Sequence, residues 1–203
     1  MTLKEMKEKT FSLIEEYNPE YSALAEDEDV VNKINGVVNQ IQMDLMPYRK
    51  IGANLKIEIS ENDDKTINLE DYIDDCYQLV SIIFDKEVDY QNPIDKILIL
   101  PEDYVGSLDV YYYKYPELCK TSFSGETEEE IEAKRAAHDK SYTFELDPLL
   151  LEIMPYGIAA DLLKMDMISN YGKYFYERYI EKKNSIDTRK TNGSVRILGG
   201  VDF

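Results

Sequence analysis

The spacing of apolar residues changes character twice along this 203-residue chain, and that change limits the fold more than any single motif. In the second quarter of the first hundred residues, Val30, Ile34, Val37, Val38, Ile41 and Leu45 fall on one stripe of a 3.6-residue period. In NLKIEIS, Leu55, Ile57 and Ile59 then alternate with Lys56, Glu58 and Ser60, the two-residue period of a half-buried strand. Helical spacing returns after residue 144. The expected fold class is therefore α+β: N-terminal and C-terminal helices forming one bundle, an inserted antiparallel β sub-domain, and a C-terminal strand.

Local signals set the expected boundaries. Thr2 and Glu5 have capping-box spacing and open a helix that buries Leu3, Met6, Phe11 and Ile14 and ends before Asn18-Pro19. Asp27 or Asp29 caps the second helix, which stops near Pro47. Strands are expected in NLKIEIS, KTINL, QLVSIIFDKE, KILIL and SLDVYYYKYP, the last with Leu108, Val110 and Tyr112 on one face. Asp147-Pro148 starts a helix with Leu150, Met154, Ile158 and Leu162 on one face, kinked at Pro155. Gly157, Ala159 and Ala160 admit a close neighbour, and a last helix over 171–187 stripes Tyr171, Phe175, Tyr179 and Ile186. SVRIL reads as a strand able to pair with a sheet edge. The segments are thus bundle helices over 1–50, a β insertion over 51–118, an acidic loop with a helical turn pair over 119–143, bundle helices over 144–190, and a strand and tail over 191–203.

Charge narrows the function. The net charge is −18, with a balance of −4 over 1–50, −15 over 51–150 and +1 over 151–203. Phosphate affinity is supplied by Lys and Arg, so a chain this acidic is not expected to seek nucleic acid. The asymmetry instead lets the acidic middle of one subunit attract the basic C-terminal third of the next. No apolar run is free of charge long enough to span a membrane, and the N-terminus has no signal-peptide pattern. Cys76 and Cys119 form no Cys-x-x-Cys pair and are expected to be reduced, buried and small.

The residues offer no catalytic, cofactor or metal site. His138 is the only histidine, lies in a polar segment and is expected to be an exposed bystander. No phosphate-binding glycine motif is present. Asp63/Asp64, Asp74/Asp75 and the 126–132 run are read as solvated acidic surface, because adjacent carboxylates point to different sides. The VYYYKY cluster, with Tyr111 and Tyr113, suits either cross-strand packing or a protein interface.

The order of these parts resembles the head–tail adaptor (connector) proteins of tailed bacteriophages, including the tail-tubular adaptor type. The likeness rests on the helix pair, the β insertion ending in LDVYYYKYP, the entry FELDPLLLEIMPYGIAADLL, the helix YGKYFYERYIEKKNSID and the terminal GSVRILGGVDF. It implies a non-enzymatic virion protein of the neck, assembled in the host cytoplasm, and a ring, usually a dodecamer, between portal and tail or stopper proteins. Double-stranded DNA would pass through that ring without specific binding, and a carboxylate-lined wall would keep phosphates from sticking. Asp71–Asp75 and Glu126–Glu132 are then candidates for lumen or subunit contact, opposed by the basic residues Lys182, Lys183, Arg189, Lys190 and Arg196. The competing readings are a small acidic inhibitor that mimics DNA and, behind it, a metal-dependent hydrolase.

Overall fold

The first helix, α1 (Leu3–Tyr17), opens on the reciprocal pair its sequence calls for. The Thr2 N–H donates to Glu5 Oε2 at 2.8 Å and the Glu5 N–H donates to Thr2 Oγ1 at 3.2 Å. These coordinates are a computed structural model, which describes residues 1–17, 19, 23–94, 96–164, 171–186 and 196–198. Two compact units emerge. One is helical, formed by Met1–Arg49 and the segment from Pro116 through the last helix; the other is β, formed by Lys50–Tyr115 and the terminal strand.

In the helical unit α1 buries Leu3, Met6, Thr10 and Ile14. Thr10 takes the place expected for Phe11, which is half-buried. The Thr10 hydroxyl can enter the core because it donates to the Met6 carbonyl one turn back, at 2.8 Å. The second helix, α2 (Glu28–Leu45), is capped by the Asp27 carboxylate, which accepts from the Val30 N–H at 3.2 Å. Its buried stripe is Ile34, Val38, Ile41 and Leu45, joined by the polar Asn35 and Gln42.

The helical turn pair expected in the acidic segment is a full helix, α3 (Glu128–Ser141), capped by Thr127. Three glutamates in its first turn sit at the positive end of the helix dipole, and His138 and Lys140 lie in the last turn. None of its residues is fully buried, so the apolar periodicity that reveals other helices is missing here.

Helix α4 (Pro148–Leu162) begins where Asp147 accepts from the Leu149 N–H at 2.9 Å. It buries most of its circumference, from Leu150 and Leu151 to Ala159 and Ala160, leaving the Leu149, Glu152 and Tyr156 edge open, and packs against α1, α2 and the last helix, α5 (Tyr171–Asn184). A helix this broadly apolar belongs in a core, and this one forms the middle of the unit. Gly157 permits a close approach: a Cβ there would lie 2.9 Å from Tyr179 Cε2 and 3.0 Å from Ile41 Cδ1. Residues 165–170 and 187–190 of the expected bundle-helix segment lie outside the described residues.

The β unit holds two sheets. The larger orders β1 (Ile51–Ile59), β6 (Gly106–Lys114), β3 (Cys76–Phe84) and β7 (Arg196–Leu198) as β1-β6-β3-β7. The smaller orders β2 (Thr66–Asn68), β5 (Ile97–Ile99) and β4 (Gln91–Ile94) as β2-β5-β4. All pairs are antiparallel except β3 with β7. Ile57, Ile59, Leu79, Ile82, Leu108 and Val110 from the larger sheet close a core with Ile67 and Leu98 of the smaller. β4 is not among the expected strands; its sequence QNPI carries too little apolar pattern to announce one.

Candidate functional site

The basic residues of α5 divide into two groups with different duties. Lys183 turns inward. Its Nζ lies 2.7 and 2.6 Å from the two carboxylate oxygens of Asp44 on α2, its side chain is 13% exposed, and it sits over the rings of Tyr48 and Tyr179. The Tyr179 hydroxyl donates to the same carboxylate. Burial works to raise the Asp44 carboxyl, but the hydrogen bonds from Lys183 and Tyr179 outweigh it and hold its pKa below the ordinary value. Burial and the adjacent Asp44 carboxylate together push the Tyr179 phenol upward, so it stays protonated and a donor. This cluster ties α2 to α5 and leaves Lys183 committed within its own chain.

Lys182, Arg178 and their aromatic partners form an open surface. Lys182 Nζ stands 4.7 Å from the centre of the Tyr156 ring of α4, and the Arg178 guanidinium 5.6 Å from that of Tyr174. With Glu181 and Ser185 these residues line a groove of about 390 Å³ along α4 and α5. Glu181 accepts from Arg178 at 2.8 Å, and the Ser185 hydroxyl donates to the Lys182 carbonyl at 2.6 Å. Two tyrosine faces, each with a cation above it, can hold an acidic or aromatic protein side chain. The groove contains no nucleophile paired with a base.

The remaining candidates lie in the β unit. Tyr111 is exposed, opposite Asn54 on β1 and Ser81 on β3. Tyr113 is half-buried, with Lys50 Nζ 5.0 Å from its ring centre. Both occupy the face of β6 opposite the one that Leu108, Val110 and Tyr112 turn to the core. Arg196 begins β7, whose three residues pair in parallel with Ser81–Ile83. Arg189 lies outside the described residues.

His138 is not the exposed bystander expected. Its side chain is 14% exposed, between the rings of Phe123 and Tyr142, and its Nε2 accepts from the Lys120 N–H at 3.3 Å. It belongs to a grip on the 117–120 segment that no local motif announces. Asn39 bonds Cys119 at both its carbonyl, 2.8 Å, and its N–H, 2.9 Å. Asn35 donates to the Lys120 carbonyl at 2.7 Å, and the Tyr142 hydroxyl donates to the Glu117 carbonyl while Gln42 donates to that hydroxyl at 3.1 Å. One polar row on α2, spaced three and four residues apart, thus replaces a strand partner for a segment that has none among the described residues. Burial pushes the Cys119 thiol to about 11, so it remains a thiol at neutral pH rather than a nucleophile. Cys76, likewise without a disulfide, is half-buried rather than buried as expected.

Among the described residues no group of three or more His, Cys, Asp or Glu is placed to hold a metal ion. Among the same residues no helix is long and apolar enough to cross a membrane. No family model and no curated protein matches the chain.

Proposed function

We propose that this chain is a subunit of the head–tail adaptor ring of a tailed bacteriophage, a non-enzymatic virion protein of the neck with portal and tail or stopper proteins as neighbours. The observation that carries the reading is the arrangement of the helical unit, in which α4 is enclosed by α1, α2 and α5 while the β unit is inserted in the chain between α2 and α3. Charge supports it. The groove on α4 and α5 offers Lys182 and Arg178 over tyrosine rings, and the acidic stretch 51–150 of a neighbouring subunit supplies carboxylates in excess. The same excess of carboxylate keeps passing DNA from adhering. Lys183 is removed from the set of intersubunit contacts, because Asp44 already neutralises it.

The test is an affinity pull-down with the tagged chain from a lysate producing its parent phage or prophage, read by mass spectrometry. Portal, stopper or tail proteins among the captured partners would support the adaptor role and name the adjacent layers. Capture of a DNA-binding host protein with no virion protein would replace the reading with that of an acidic DNA mimic.

A further inference from the structure

The edges of the two sheets are not treated alike. In the smaller sheet β2 has three residues, and β4 has four with Pro93 among them, a residue that cannot donate to a ladder. In the larger sheet β7 covers part of β3. β1 is the exception: nine residues, no proline, and an uninterrupted register with β6 from Ile51↔Lys114 to Ile59↔Gly106. Among the described residues no strand pairs with its outer side. Natural edges are usually shortened, bulged or covered, since a regular edge is a template for another strand.

The side chains of β1 say which strand fits. Leu55, Ile57 and Ile59 face the core, while Asn54, Lys56 and Glu58 are exposed on the other face. Lys56 and Glu58 are 2.6 Å apart, with Asp109 of β6 opposite Lys56. An antiparallel second copy of β1 centred on Ile57 sets Lys56 of each chain opposite Glu58 of the other, and Leu55 beside Ile59 on the core face. Moving the centre to Lys56 or to Glu58 would instead place like charges opposite each other. The strand turns away after Ile59, where Lys65 Nζ donates to the Ser60 carbonyl at 2.5 Å, so the paired stretch is residues 55–59.

We infer that β1 is a self-complementary docking edge, and that two copies of this chain pair through it about a two-fold axis, joining their four-stranded sheets into one continuous sheet. The contact is closed, using the same surface on both chains, and does not depend on the adaptor reading.

Sedimentation velocity over a wide range of concentration, with wild type and two variants, tests it. The expected wild-type species is a dimer. Lys56→Glu sets a carboxylate opposite Glu58 of the other chain, twice by symmetry, and should weaken dimerisation about tenfold. The double change Lys56→Glu with Glu58→Lys restores opposite charges and should recover the wild-type constant. Lys56→Glu also faces Asp109 within its own sheet, so both variants should lose a little thermal stability alike. Their association is compared at a temperature where each is fully folded, and the recovery in the double variant separates loss of dimer from loss of fold. A wild type that remains monomeric, a double variant as weak as the single, or an assembly insensitive to both would overturn the inference. Charge changes at Arg178 and Lys182 should leave this dimer intact, which separates its failure from that of the adaptor reading.

Discussion

Two neighbouring lysines on α5 show how little residue type says about duty. Lys182 rests over Tyr156 at the rim of a groove, whereas Lys183 closes an ion pair with Asp44 on another helix. Asp44→Ala should lower stability by about 2 kcal/mol, because it leaves the mostly buried Lys183 ammonium and the Tyr179 hydroxyl without their acceptor. Lys182→Met should change it by less than about 0.5 kcal/mol. Urea unfolding midpoints of the two variants check the contrast. The pH dependence has a definite sign. The Asp44 pKa lies below its ordinary value of 3.8, so the folded state binds a proton there less readily than the unfolded chain. The contribution is therefore complete above that ordinary value and disappears as pH falls through the lower folded one. The stability gap between wild type and Asp44→Asn should hold constant from neutral pH to about 5 and narrow below about 4.

At the scale of elements, α3 and α4 are opposites. α4 buries most of its circumference and passes close to α2 and α5 at Gly157, leaving the Leu149, Glu152 and Tyr156 edge open. Gly157→Ala gains helix propensity, worth about 1 kcal/mol, but drives a methyl group against the buried Tyr179 ring and Ile41. The net effect expected is a loss of about 1–2 kcal/mol in a denaturant titration, with the Tyr179–Asp44 contact disturbed. α3 has no fully buried residue and is held by caps and a few polar contacts, among them Lys7 to Asp139 at 2.7 Å and Arg135 to Asn32 at 2.9 Å. Thr127→Ala removes the acceptor for the Glu130 N–H, at a cost of about 1 kcal/mol. Hydrogen exchange should show α3 amides speeding up several-fold in that variant while α4 amides keep wild-type rates.

For the whole molecule the dominant quantity is charge. A net −18 on 203 residues repels itself in the folded state, and the repulsion acts over distances that salt can screen. Raising sodium chloride from about 10 mM to about 150 mM shortens the Debye length from roughly 30 to 8 Å and should raise the thermal midpoint. A midpoint that falls with added salt would mean that ion pairs, not repulsion, govern the charge response. Much of the architecture is written locally. The Thr2–Glu5 and Asp27 caps, the change of period at residue 55 and the Asp147-Pro148 start are decided within a few residues, so the sequence alone specifies the α+β class and most element positions. What lies between distant segments is not legible there. The sequence does not say that Asn35 and Asn39, with Gln42 acting through Tyr142, grip the 117–120 backbone, that His138 packs against Phe123 and Tyr142, or that Lys183 belongs to Asp44. A polar side chain on a helix carries no mark of which far segment will meet it, and a helix with no buried face, such as α3, has no periodicity to read. Local rules depend on neighbours three or four residues away; the contacts of Asn35, Asn39, Gln42 and Lys183 join residues 80 to 139 apart, and only the tertiary fold brings them together.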